Sequence, residues 1–218
     1  MMQTNIPAHS TGWLAALWCL GALTGLSLAA VAGPADDTVR EATDLVVSAL
    51  DEQRATYAED PAPLHDRMTE ILEQYVAFDR IVSGVVGKHK AALNDDQRAR
   101  FRSVFVASLV DLYADSLISL QAKTIEVREA KIRKKGRAQV SMDVTTTNGS
   151  DFTLEYSMGQ EDDGRWLIRN MIVGGINLGL TFRNQFDAMI GEQAGDVEAV
   201  LVRWRETTTE DNANASTR

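Results

Sequence analysis

Few residues of this chain are placed for bond-making chemistry. The histidines beyond the N-terminal segment, His65 and His89, sit at no metal-ligand spacing, and the single cysteine is Cys19. Both histidines read as exposed helix residues rather than ligands. The sequence holds no nucleophile elbow, no phosphate-cradling glycine loop and no paired His–carboxylate motif. Gly174-Gly175 lacks the strand–loop–helix context of a phosphate loop and reads as a sheet-to-helix junction. The acid runs Asp95-Asp96 and Glu161-Asp162-Asp163 fall at a helix start and a turn, where the helix dipole and solvation account for them. No catalytic residue, metal or cofactor is expected.

What remains is charge and bulk. Arg128, Lys131, Arg133, Lys134, Lys135 and Arg137 put six basic residues within ten positions of a chain whose net charge is −9. Two readings stay open: a solvated turn whose charges discourage edge pairing, or an electrostatic contact to anionic headgroups or an acidic partner. Bulky side chains also align. Phe101, Phe105 and Tyr113 recur on one helical face, and Met142, Tyr156, Met158 and Trp166 on one strand face. They could form an ordinary core, or line an apolar cavity between a sheet and helices standing slightly apart. Periodicity alone favours the core.

The elements that must position these residues fall into two regimes. Over residues 34–121 the apolar positions recur at helical spacing; over 122–173 they alternate. A first helix carries Val39, Ala42, Leu45, Val46, Ala49 and Leu50, and Asp60-Pro61-Ala62-Pro63 breaks it. A second has Leu64, Met68, Ile71, Leu72 and Tyr75 as its stripe. A short helix over 78–86 ends at Gly87. Asn94 and Gln97 form a capping-box pattern that opens a long helix through Tyr113 and Leu117. The strands follow: one at Ile125 and Val127, one at Val140, Met142 and Val144, one at Phe152 to Met158, one at Trp166 to Val173. Lys135-Gly136, Asn148-Gly149 and Asp162-Asp163-Gly164 supply the turns. A helix through Leu178, Phe182, Phe186 and Ile190 and a last short one from near Asp196 close the chain. Helices first and antiparallel strands later imply an α+β domain, with N-terminal helices packed on one face of a curved four-stranded antiparallel sheet.

Residues 1–32 read as a cleavable export signal. The stretch 13–28 is apolar, and Ala30-Val31-Ala32 gives the small-x-small pattern that signal peptidase accepts. Cleavage near Ala32 would leave 186 of the 218 residues, without a cysteine and with the charge of −9 intact. Such a domain holds together by core burial alone, with no disulfide, and its acidity disfavours nucleic-acid binding. Residues 33–206 form the expected domain, and 207–218 a polar, disordered tail.

Two stretches together resemble the MlaC-type, or toluene-tolerance, family of periplasmic phospholipid-binding proteins. The first is Phe78-Asp79-Arg80-Ile81-Val82-Ser83-Gly84-Val85-Val86-Gly87, followed by Asp96-Gln97-Arg98-Ala99-Arg100-Phe101 and the helix to Tyr113. It is similar to that family's Phe-Asp segment, Val/Leu-Gly and Gln-x-x-x-Phe helix. The second is Gly164-Arg165-Trp166-Leu167-Ile168, then Val173-Gly174-Gly175-Ile176-Asn177-Leu178 and Phe182-Arg183-Asn184-Gln185-Phe186. It resembles the Gly-x-Trp, Gly-Val-Ser-Leu and Tyr-Arg-x-Gln-Phe series. The resemblance spans roughly residues 36–205. The chain departs from the pattern at Lys88-His89-Lys90, where a Trp is common, at Arg169-Asn170, where an acidic residue is frequent, and at Asn177, where Ser is usual.

The resemblance implies a soluble, monomeric periplasmic shuttle, not an enzyme. It would carry one phospholipid between an outer-membrane lipoprotein complex and an inner-membrane ABC transporter complex. Hopanoid carriage and a ligand-free envelope adaptor are the alternatives. Two acyl chains of about 15 methylenes, at about 0.8 kcal/mol per buried CH₂, are worth on the order of 24 kcal/mol in the bilayer. The pocket must therefore cover most of both chains. Its expected lining is Phe78, Ile81, Val85, Phe105, Leu109 and Tyr113 from the helices. The sheet would add Val140, Met142, Tyr156, Trp166 and Val173. Arg183, Arg133 and Lys135 are the candidates for headgroup or partner contact, by position.

Overall fold

The computed structural model describes residues 34–215, so the export signal and its cleavage point lie outside the described residues. Helix α1 (Ala35–Gln53) starts at Pro34, whose φ of −55° suits helix entry. Asp36 and Asp37 fill its first turn, where the helix dipole favours anions. Helix α2 (Ala62–Tyr75) begins where Asp60 Oδ1 accepts from the Ala62 N–H at 3.2 Å, and buries Leu64, Met68 and Ile71. Its C-terminal neighbour Val76 turns extended and bridges to Ile168 in the sheet.

Helix α3 (Phe78–Val86) ends at Gly87, whose φ of +52° lies in the left-handed region that a Cβ disfavours. A 3₁₀ turn over Gly87–Ala92 leads to α4 (Asp95–Ser119). The predicted capping box is formed: the Gln97 N–H donates to Asn94 Oδ1 at 2.8 Å, and the Asn94 N–H to Gln97 Oε1 at 3.0 Å. Helices α5 (Leu178–Glu192) and α6 (Val197–Ala215) close the chain. The last helix is longer than the sequence suggests, continuing to Ala215 where the composition predicts a disordered tail from 207. A helix already nucleated against a core extends at little cost per residue.

The sheet differs from the expected four strands. Its members are β1 (Ala122–Val127), β2 (Lys131–Lys134), β3 (Arg137–Thr146), β4 (Asp151–Gln160), β5 (Trp166–Val173) and β6 (Ile176–Asn177). The order is β1-β3-β4-β5-β6, all antiparallel, with β2 also paired to β3. β1 and β2 are two parts of what reads as one strand, interrupted at residues 128–130. At that break the Arg40 guanidinium of α1 donates to the Val127 carbonyl at 3.3 Å. β6 exists because Gly174 and Gly175 both take positive φ, 55° and 82°, and close a two-residue hairpin between Val173 and Ile176. The two glycines are thus a hairpin turn just ahead of α5 rather than a bare sheet-to-helix junction.

Three apolar clusters hold these elements. The helical core joins α3, α4, α5 and α6 through Phe101, Phe105, Phe186 and Trp204. Phe101 lies 4.9 Å from Phe186 and 5.1 Å, edge-on, from Trp204 by ring centroids, within the favourable range for aromatic pairs. A second cluster unites α1, α2 and α4 through Leu50, Leu64, Ile71 and Val110, and Leu72 packs against both it and the helical core. The third lies on the sheet and shares no member with the other two.

Candidate functional site

The sheet presents one apolar face because β3 alternates without error: Ala138, Val140, Met142 and Val144 are buried, and the residues between them are not. Register carries this face across the sheet. Val140 pairs with Tyr156, Met142 with Leu154 and Ala138 with Met158, and Tyr156 in turn with Met171 of β5. Helix α1 covers the β1 and β3 side with Ala35 and Val39, and the Thr43 hydroxyl reaches Met142 Sδ at 3.5 Å.

Helices α1, α2, α3 and α5 all approach β5, yet they do not seal its side chains. All eight β5 residues are only half-buried, including Trp166, Ile168, Met171 and Val173. Leu154 and Phe152 of β4 are half-buried too. On the helical side Val76, Ile81, Leu109 and Phe182 form an equally incomplete fringe of their own core. Since Val76 bridges to Ile168, the two fringes meet along β5. The site is therefore a seam between two apolar layers, neither of which closes over the other.

One tyrosine hydroxyl stands out on the sheet layer. Tyr156 is 9% exposed, and burial alone pushes its phenol pKa upward, with no bonded or charged partner contributing. Burial alone also raises that of Tyr113. Among the described residues the only fully enclosed side-chain N or O without a partner is Arg169 Nε, so the Tyr156 oxygen keeps a small accessible surface. The other two shifted tyrosines are partnered: Tyr57 donates to Asp115 at 2.7 Å, and Tyr75 is bonded to Glu41. A buried polar group left bare costs about 1–3 kcal/mol. The partnerless hydroxyls fit a site that something else fills.

The expected lining residues divide between the layers. Val140, Met142, Tyr156 and Trp166 lie together in the sheet cluster, with Val173 at the far end of β5. Phe78, Val85 and Phe105 sit inside the helical core, and Ile81 and Leu109 on its fringe. Tyr113 belongs to neither cluster and is half-buried on α4. Arg183 clamps α5 to α3, its Nε donating to the Gly84 carbonyl at 2.8 Å. Arg133 Nε donates to Gln139 at 3.0 Å, and Lys135 is exposed in the β2–β3 turn. Two hollows lie elsewhere. One of about 480 Å³ between α3 and α4 is lined by residues including Asp79, Lys90, Arg98 and Arg102, and one of about 420 Å³ follows the acidic side of α1.

Sequence reasoning did not place Ala35, Val39 and Thr43 over the sheet, although Val39 stood in the first helix's apolar stripe. The departures from the family pattern prove to be bonded pairs. Asn170 Nδ2 donates to Asn177 Oδ1 at 3.0 Å, while Asn170 Oδ1 accepts from the Gly179 N–H, pinning α5 to β5. Lys88 and His89 both contact Asp187, at 2.8 and 2.6 Å. These partners hold the Asp187 carboxyl below its usual pKa, Lys88 most strongly. Arg169 lies across Gly159, where a Cβ would come within 1.9 Å of its guanidinium, and pairs with Glu161 at 2.8 Å.

An apolar seam with a partnerless buried phenol is the kind of site that takes an apolar ligand. Residues 40–206 match the MlaC protein family, and the chain belongs to it. A relative is the toluene tolerance protein ttg2D of Pseudomonas putida, 30% identical over 169 residues, covering 77% of this chain and 78% of that one. The fold is shared with the phospholipid-binding protein of Ralstonia solanacearum, solved in complex with a phospholipid. The TM-score is 0.69 at 21% identity, over 84% of this chain and 99% of that one.

Proposed function

We propose that this chain carries one phospholipid, its acyl chains held along the seam between sheet and helices and its headgroup left in water. The Tyr156 hydroxyl, buried yet without a protein partner, is the observation that carries this reading. The names of the Pseudomonas and Ralstonia relatives point the same way. The ligand's ester carbonyls would supply the acceptor that Tyr156 lacks. In the cell the protein is a periplasmic shuttle, released by cleavage near Ala32, that moves lipid between an outer-membrane complex and an inner-membrane ABC transporter complex. A diffusing carrier needs no catalytic group.

The reading is tested by loading the protein with a fluorescent phospholipid and measuring exchange into lipid vesicles. Wild type is expected to bind one lipid per chain, and Tyr156→Phe to lose it about 2- to 10-fold faster, as one hydrogen bond of about 0.5–1.5 kcal/mol disappears. Protein that cannot be loaded, by exchange or from detergent, would overturn it.

A further inference from the structure

The basic run noted in the sequence has no role in holding a ligand along the seam, and the structure gives it an unusual setting. All four residues of β2 are exposed, so this short strand shows both faces to solvent. β2 pairs on one side only, with β3, and its other edge is free. Lys131, Lys134, Lys135 and Arg137 form no ion pair among the described residues, and Arg133 bonds to the neutral Gln139; Arg128 alone is matched, by Asp143. The acidic turn at the same end of the sheet, joined to the hairpin where the Gln160 N–H donates to the Gly136 carbonyl, offsets little of this charge, since of its three carboxylates Asp162 alone has no ion pair among the described residues. Glu161 is taken by Arg169 and Arg80, and Asp163 by Arg165. Residues 128–137 hold six basic side chains and one acidic, a net +5, so the rest of this −9 chain carries −14.

In the middle of the hairpin stands Ile132, 65% exposed, the most exposed of the large apolar side chains. Long lysines on either side of one bare isoleucine match the boundary of an anionic bilayer, where ammonium groups meet phosphates while the apolar side chain enters the acyl edge. A protein partner would leave the isoleucine wanting a complementary pocket; a membrane requires none. The strongly negative remainder would turn the hairpin, and no other face, towards an anionic surface.

We infer that the β2–β3 hairpin is a membrane-docking element that holds the protein against anionic phospholipid headgroups while lipid passes. The inference takes its purpose from the carrier reading, but the docking itself is independent of it. Purified protein floated with vesicles of phosphatidylcholine, with or without phosphatidylglycerol, is the test. Binding is expected only to vesicles containing phosphatidylglycerol, and to weaken as salt rises. The triple change Lys131→Gln, Lys134→Gln, Lys135→Gln should lower partition about a hundredfold, from about fivefold per basic residue. Ile132→Ser should lower it about tenfold at unchanged charge. Both variants should keep wild-type circular dichroism and co-purified lipid. Equal binding to neutral vesicles, an unaffected triple variant, or failure to bind any vesicle alongside capture of an acidic protein by the hairpin would each overturn the docking. Protein that floats as expected yet never carries lipid would refute the carrier reading and leave the docking standing.

Discussion

The helical core and the sheet layer bury the same kinds of side chain to different ends. In the helical core Phe101, Phe105 and Phe186 are at most 1% exposed and touch one another and Trp204. Phe182 joins them, edge-on to Phe105. On the sheet the middle of the face is buried, while β5, though α1, α2, α3 and α5 all approach it, keeps half-buried Trp166, Ile168 and Met171 beside the partnerless Tyr156 phenol. A domain of this size needs one closed core for stability and can leave the other open for a ligand. The helical core thus holds the fold, and the carrier reading assigns the ligand to the sheet layer.

The largest contrast should come from placing a charge in each region. Phe105→Glu buries an unpaired carboxylate among aromatic rings and should abolish folding. Tyr156→Glu stands where the carrier reading puts acyl chains; it should unfold cooperatively in denaturant and lose at least tenfold of its co-purified lipid. If both variants fail to fold, the sheet layer is as dry as the helical one. Cavity formation comes next: Phe101→Ala should cost about 3–5 kcal/mol in urea unfolding, because four helices meet on that ring.

Smaller changes sharpen the comparison. Tyr57→Phe should cost about 1 kcal/mol through its lost bond to Asp115, while Tyr156→Phe should leave the empty protein within about 0.5 kcal/mol of wild type. Gly159→Ala should cost about 1 kcal/mol by displacing Arg169 from Glu161, a cost that vanishes in an Arg169→Ala background. The smallest effect concerns acid. Lys88 and His89 depress the Asp187 pKa, so its contribution is complete above the unfolded carboxylate pKa of about 3.9 and is lost as pH falls through the lower folded value. Between about pH 5 and pH 3, wild type should therefore lose slightly more Tm than Asp187→Asn.

Much of the fold was legible because its determinants are local. The Asn94–Gln97 cap, the Gly87 exit and the Asn148-Gly149 turn each depend on residues within a few positions. The split of β1 from β2 was not legible, because the strand breaks where it meets α1, whose Arg40 donates to the Val127 carbonyl 87 residues away in sequence. The site was half legible for a related reason. Periodicity states that Phe101, Phe105 and Tyr156 point inward, but not which layer they meet; Phe101 and Phe105 meet Trp204 of α6, and Tyr156 meets Val140 and Met171 on the sheet. The departures at Asn170 and Asn177 looked independent in the sequence and are one contact in space.

The central claim, that the seam along β5 holds a lipid, is tested most directly by the native mass of the purified protein before and after organic extraction. The account predicts an excess equal to one phospholipid per chain that extraction removes, and a much smaller excess for Tyr156→Glu. The same bare polypeptide mass before and after extraction, in protein purified gently from several preparations, would contradict it.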